Sequence, residues 1–379
     1  MSCTSLLIAL VVLVALVGCS KNEEDAPLQT TVQTAVPVEV TGYVTPFDEN
    51  TLATRSWTPP TGYSLYDEDD YTIGIAFTQN GEDPQMGHFF KSSGKWRTSV
   101  GDITASTYYL YGYIPNSAGI DYTVTDRVGA NDNYSSGAIV TLQNVPAVMP
   151  ADLCVVIGAK DGTDKETVTG LRSGDFAYTA KAISGSVDGG NYVFLLFDHL
   201  YAALRVKMKV HGDYDALRTI KLKSLRMKMQ AGETTSTTKT DIVVDLMATS
   251  GESPIQTITY TPGGVTITEP LEFWSSATGE TLTTEFSTHT GHFMPQDITT
   301  LVLTSVYDVY DKNVTTEHPD GNLIRKDCMA TNTMLLSDLL TGQTTTRRGC
   351  RYTINMTIKP TYLYMLSEPD LDNPTVVVE

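Results

Sequence analysis

Val36-Pro37-Val38-Glu39-Val40-Thr41-Gly42-Tyr43-Val44 is the stretch whose pattern decides the fold. Val36, Val38, Val40, Gly42 and Val44 fall on one side of an extended chain, and Pro37, Glu39, Thr41 and Tyr43 on the other. Side chains of a strand alternate between two faces, so this period of two predicts a half-buried β-strand. Outward from it, further strands are predicted over residues 71–78, 108–114, 138–142, 153–159, 192–197, 203–210, 220–229, 257–261, 266–268, 301–307 and 352–358. Short strands punctuated by Gly, Asn, Asp and Pro point to sandwiches rather than βαβ units. A short helix is predicted over 334–340, ending near Gly342. The turn-rich Ser184-Gly185-Ser186-Val187-Asp188-Gly189-Gly190 places a domain boundary near residue 190. The threonine-rich stretches 234–240 and 344–346 read as exposed loops.

Before the first strand the chain carries an export signature. Leu6 to Val17 is an unbroken apolar run, too short to span a bilayer and suited to a signal peptide over residues 1–18. Leu16-Val17-Gly18-Cys19 resembles a bacterial lipobox, which predicts cleavage before Cys19 and lipid on its thiol. The basic residues that normally precede such a run are absent from Met1 to Thr4, which fits a true start further upstream. Residues 19–34 are polar and read as a flexible tether. The net charge of −18 argues against nucleic acid or anionic lipid as partners, since phosphates would be repelled. Past Cys19, three cysteines remain: Cys154, Cys328 and Cys350. Cys328 and Cys350 form a candidate disulfide for an oxidising compartment, and Cys154 reads as a buried thiol.

Catalytic and metal signatures are missing. No GxSxG, P-loop, HExxH or dinucleotide fingerprint occurs, and neither an enzyme, a cofactor nor a metal site is predicted. His289-Thr290-Gly291-His292 spaces two histidines as weak metal ligands in what reads as a loop, and His199 reads as a core histidine with a hydrogen-bond partner. Asp67-Glu68-Asp69-Asp70, and Asp308 and Asp311 near Asn313, lack the spacing of a calcium loop and read as solvated turns. Trp57, Trp96 and the tyrosines of 108–113 are candidates for sugar stacking, with core packing the ordinary role at strand positions.

Several segments in order resemble the fimbrillin family, subunits of type V pili of Gram-negative anaerobes. They are the lipobox, Tyr108-Tyr109-Leu110-Tyr111-Gly112-Tyr113-Ile114-Pro115, Asp152-Leu153-Cys154-Val155-Val156, Phe197-Asp198-His199-Leu200-Tyr201-Ala202-Ala203-Leu204-Arg205-Val206 and Gly349-Cys350-Arg351-Tyr352-Thr353-Ile354. The resemblance implies an all-β chain of two tandem transthyretin-like Greek-key sandwiches, here 35–190 and 191–379. It also implies a precursor held in the outer membrane by lipid on Cys19, cut after a basic residue, and assembled with other pilin subunits by strand exchange into an extracellular fimbrium. Such a fimbrium would serve adhesion to a host or bacterial surface ligand.

Strand exchange needs three parts. Residues 35–55, with Val36, Val38, Val40 and Val44, suit a removable strand. Arg55, in a polar stretch before Pro59-Pro60, suits a cleavage point, although any exposed linker holds arginines. The tail 352–379 suits a donor strand: Tyr352, Ile354, Met356 and Ile358 share a face, and Tyr362 and Tyr364 follow Pro360. An ordinary final core strand accounts equally well for the first half of that tail. A pilus anchor or tip adhesin is the neighbouring alternative, and a surface glycan-binding lipoprotein is the alternative of another class.

Overall fold

The computed structural model describes residues 36–49, 64–65, 71–101, 103–117, 119–164, 168–181, 190–231, 234–235, 237–249, 252–297, 300–312, 314–319, 321–339, 345–359 and 376–378. Among these the chain is almost wholly β, with single-turn helices at Gly212–Asp215 and Leu336–Leu339 and a 3₁₀ turn at Tyr134–Ser136.

The first sheet closes on itself. Starting at Cys154–Gly162, its strands run through Asn191–His199, Val36–Val44, Lys95–Thr98, Gln85–Ser92, Ile73–Thr78 and Thr107–Ile114. Thr107–Ile114 then returns to Cys154–Gly162 by pairing Ile114 with Cys154 and Tyr113 with Val155. The interior of this ring holds Val38, Val40, Ile75, Phe77, Phe89, Leu110, Val156, Val193, Leu195 and Phe197 in one apolar cluster. Closing a sheet removes the exposed edges that would otherwise template pairing with another chain.

One side of the ring is covered from outside. A four-stranded sheet of Asp121–Asp126, Gly137–Pro146, Thr237–Met247 and Ile255–Thr266 lies over it. Val140, Leu142, Ile242, Val244 and Leu246 pack there with Tyr111, Tyr113, Val155, Ile157 and Leu196 of the ring. Ile73–Thr78 is therefore buried at all six positions, and Cys154–Ala159 is buried throughout. This is why those segments read as unbroken apolar runs rather than alternating ones.

The third core lies between two sheets built from later strands. Ala202–Val210, Ser287–Phe293 and Cys350–Ile358 form one sheet, and Arg218–Ala231, Leu271–Leu282, Thr300–Asp311 and Leu323–Leu335 the other. Val206, Met208, Ile220, Leu225, Leu303, Tyr352 and Met356 meet between them. The chain does not part cleanly at residue 190. Asn191–His199 is a strand of the first ring, and the hairpin Thr237–Met247/Ile255–Thr266 pairs back onto Gly137–Pro146.

Several local expectations are corrected. The stretch 234–240 is not a loop: Thr234–Thr235 pairs with Gln230–Ala231, and Thr237–Met247 is a strand. Thr346 is 3% exposed and bonded to Gln296, so this threonine is packed. Met334 and Leu335 end the strand Leu323–Leu335, and the helix that follows is the single turn Leu336–Leu339. His289 and His292 sit in the strand Ser287–Phe293, where a spacing of three sends them to opposite faces. Cys328 and Cys350 are buried in the same core and are not joined in a disulfide.

Gly112 marks the tightest strand approach in the ring. A methyl there would run into the carbonyl oxygen of Gly74 on the adjacent strand. Gly112→Ala is expected to lower stability by about 1–3 kcal/mol, the range for overpacking a rigid core, as read by urea unfolding.

Candidate functional site

The strand Val36–Val44 has unequal partners. It pairs in parallel with Asn191–His199 from Val38↔Asn191 to Val44↔Phe197, seven positions in register. On its other side it meets Lys95–Thr98 at only two, Val36↔Thr98 and Pro37↔Arg97, and Tyr43 and Val44 also pair with Ser64–Leu65. Val38 and Val40 are 4% and 7% exposed and point into the ring, whereas Glu39 is exposed. Burying such side chains stabilises by about 1.5–3 kcal/mol each. Val44 is half-buried against the same cluster.

Beyond Val44 the chain leaves the ring and crosses to the later sheets, where Asp48–Glu49 pairs in parallel with Cys350–Arg351. The crossing is held by a polar cluster. Thr45 donates its amide to the Phe197 carbonyl at 3.1 Å and its hydroxyl to Asp198 Oδ1 at 2.6 Å. His199 Nε2 donates to the Thr45 carbonyl at 2.6 Å, and His199 Nδ1 lies 2.7 Å from Asp152 Oδ2. Both partners are acceptors, so each ring nitrogen is held as a donor, with Asp152 as counterion. Arg348 Nη1 donates to Asp198 Oδ2 at 2.7 Å and to the His199 carbonyl at 3.0 Å. Phe47 stacks on His199 with ring centroids 3.7 Å apart, and the Arg351 guanidinium sits 5.4 Å from the Phe47 centroid. Asp48 donates its amide to the Gly349 carbonyl at 2.8 Å.

This cluster is dry. Asp198 is 0% exposed, and Thr45 and His199 1% each. Burial pushes the Asp152 carboxyl up, but the His199 charge and the hydrogen bonds from His199 and Cys154 outweigh it and hold the group below its ordinary range. Burial pulls the Arg348 guanidinium down, and Asp198 more than restores it. His292, which donates to the Pro150 carbonyl at 3.1 Å, is pushed down by burial and stays neutral near pH 7.

Asp152, Cys154 and His199 also bring a carboxylate, a thiol and an imidazole within 4.8 Å of one another. That donor set suits a thiophilic divalent ion. The 2.7 Å between His199 and Asp152 is a direct hydrogen bond. It is shorter than the separation of about 3.3 Å that two ligands near 2.0 Å from a tetrahedral zinc must keep. The group is an ion pair in this arrangement.

Of the residues singled out from the sequence, the structure brings Val38, Val40 and Val44 to the ring and places Val36 beside them by its backbone pairing. Tyr352, Ile354, Met356 and Ile358 are 1–5% exposed in their own core, and Cys350–Ile358 pairs in parallel with Ala202–Val210 over eight positions. They form an ordinary core strand, onto which Val376–Val378 pairs antiparallel at Met356, Thr357 and Ile358. Cys19, Arg55, Trp57, Asp67–Asp70, Tyr362 and Tyr364 lie outside the described residues. Trp96 packs against the ring interior under Lys91. Asp308 is not in a solvated turn: it is 8% exposed within the strand Thr300–Asp311, accepts the amide of Asp327 on the neighbouring strand at 2.7 Å and lies 3.8 Å from Lys223. Sequence reasoning missed Thr45, Phe47, Asp152, Asp198 and Arg348. The available signal was Asp198-His199, two polar residues inside the otherwise apolar stretch from Val193 to Leu204.

No family model matches the chain, and no curated protein matches it. Solved structures do. One is described as a "putative cell adhesion protein" from Bacteroides fragilis NCTC 9343, at 13% identity over 91% of this chain and 96% of that one, with a TM-score of 0.38. Another so described, from Bacteroides uniformis ATCC 8492, gives 12% identity over 92% and 97%, with a TM-score of 0.34. A fimbrial protein from Bacteroides vulgatus ATCC 8482 gives 14% identity over 89% and 97%, with a TM-score of 0.31.

Two outcomes follow from the buried ion pair. Asp152→Ala strands the His199 charge and is expected to cost about 3–5 kcal/mol in denaturant unfolding. Arg127→Ala, which breaks a partly exposed pair with Asp245, is expected to cost less than about 1 kcal/mol. The Asp152 contribution is complete above its unfolded value of 3.8 and is lost as pH falls through the lower folded value. Asp152→Asn should therefore be less stable than wild type at pH 7 yet lose less on acidification to pH 3, as followed by thermal melts.

Proposed function

We propose that the chain is a structural subunit of a surface fimbrium. It is exported as a lipoprotein precursor anchored through Cys19, cut after Arg55, and assembled by strand exchange into the gap left by Val36–Val44, in the service of adhesion. The observation that carries this reading is the placement of the first strand. It completes the closed sheet, paired along its length on one side and at two positions with Lys95–Thr98 on the other, and it lies at the leading end of the described residues. Its departure would leave Asn191–His199 without a parallel partner and open an apolar slot beside Val193 and Leu195. A strand from another subunit restores both hydrogen bonds and burial. In this reading the cores and the closed first sheet serve as a scaffold for assembly, and no step in it needs a cofactor.

The burial of Tyr352–Ile358 gives the tip-adhesin alternative a specific footing, because a tip accepts a strand without giving one. Glycan binding has less support. It requires aromatic rings on an open platform, and no tyrosine or tryptophan among the described residues is exposed.

Treating the purified full-length precursor with a trypsin-like protease tests the reading. A polymerising subunit is expected to lose the residues up to Arg55 and to form ladders that survive mild denaturant, while Arg55→Ala stays monomeric. A tip would be cut and accept a partner's strand without building ladders alone. An intact chain that resists the protease and forms no assemblies would refute subunit exchange.

A further inference from the structure

The polar crossing at Thr45–Asp48 constrains what can occupy the slot. Backbone pairing and an apolar trough accept any alternating strand. The end of the slot does not, because Asp198 and His199 lie there buried and oriented. In place, the leading segment gives His199 Nε2 a carbonyl acceptor at 2.6 Å, gives Asp198 a hydroxyl donor at 2.6 Å, and covers the imidazole with a ring at 3.7 Å. When the segment leaves, the imidazole loses its Nε2 acceptor and its cover, and the carboxylate loses a donor. Buried groups stripped of partners penalise whatever fails to replace them.

The geometry points to a selective lock: the segment that seats best in place of Val36–Val44 is an extended stretch of another protein chain carrying Ser or Thr and, two residues later, an aromatic side chain. The inference rests on the strand-exchange reading above. Counting from the Val38 position, the requirement is apolar side chains at that position and two residues on, as Val38 and Val40 supply. The hydroxyl falls seven residues on, as at Thr45, and the flat ring nine residues on, as at Phe47.

The chain's own tail meets this requirement less well. Among residues 359–379 the Ser and Thr side chains are Thr361, Ser367 and Thr375, and two residues after them stand Leu363, Pro369 and Val377. The nearest match is Tyr362-Leu363-Tyr364, whose first hydroxyl stands at the far edge of a ring rather than on a short side chain. The tail therefore lacks the Ser/Thr-x-aromatic of Thr45-Pro46-Phe47 and is expected to seat less firmly at this end.

Displacement from the cut full-length chain tests the lock. After cleavage at Arg55 the leading fragment stays bound, and its loss is followed by native mass spectrometry while synthetic peptides compete. A peptide of residues 36–49 is expected to be captured. The same peptide with Thr45→Val and Phe47→Ala, and a peptide of residues 359–378, should each be captured about tenfold less well or worse, the equivalent of one lost hydrogen bond to a charged group. Equal capture of the doubly substituted peptide would overturn the lock, and so would equal capture of the tail peptide. A second measurement needs no exchange at all. Cut chains carrying Thr45→Val or Phe47→Ala should shed their leading fragment about tenfold faster than wild type, with Thr45→Ser restoring slow release. Unchanged shedding rates would sink the lock. Failure of every peptide alongside altered shedding would instead sink the strand-exchange reading and leave the lock standing.

Discussion

A closed sheet requires that every strand find a neighbour on both sides, and in this ring the neighbours of Val36–Val44 are segments far apart in sequence, Lys95–Thr98 and Asn191–His199. The rest of the first core depends on that stave. Phe77, Phe89 and Phe197 gather in the interior it closes. The opposite faces of Ile73–Thr78 and Cys154–Gly162 are free to carry the second core because their inner faces are already satisfied. Loss of one stave would be ruinous for an interior strand. On the proposed exchange reading, the stave at the leading end of the described residues is the one that would leave.

The same terminal stretch carries a second kind of interaction. The Asp152–His199 pair and Asp198, which the partly exposed Arg348 reaches from the surface, are drawn out of water, which is costly unless geometry and hydrogen bonding are nearly complete. Here they come close, with bonds of 2.6–2.7 Å between charged partners and the segment's hydroxyl and carbonyl. Apolar packing of equal volume would hold the segment as firmly. It would not fix the register, because a strand can slide by two residues and keep its apolar face inward. A hydroxyl and a carbonyl that must meet Asp198 and His199 forbid that slip.

Much of this was legible in the sequence where local pattern and final environment agree. The alternation of Val36–Val44 marks a strand with one face in a core, and the unbroken run Leu153–Ala159 marks one buried on both faces. Pattern failed where tertiary packing overrode it. Gly291 between threonine and histidine looks like a turn, yet it lies beneath the Phe273 ring, where any larger side chain would collide, and the strand continues through it. The threonines of 237–240 look like low-complexity loop, but β-branched residues suit a pleated surface, and Thr240 is fully buried. The return of Thr237–Met247 to Gly137–Pro146 joins residues about a hundred apart, beyond the reach of any windowed pattern. The polar cluster was half visible: Asp198-His199 stood out as misplaced charge, but Thr45, Asp152 and Arg348 come from three other stretches and only the fold assembles them.

In the proposed exchange, strand pairing and the polar lock would divide the work between them. Backbone hydrogen bonds are the same for every extended segment, so they supply binding strength without discriminating among occupants. Apolar alternation discriminates weakly, because valine, isoleucine and leucine substitute for one another at modest cost. Selectivity between a resident and an incoming segment must then come from groups that one satisfies and the other leaves bare. Asp198 and His199 are such groups, placed where the segment leaves the ring and where a zippering strand would seat last. An occupant lacking a hydroxyl and a ring would complete the sheet yet leave this end unsealed. On the proposed reading, the resident, once cut, would depart readily only when its replacement matches it there.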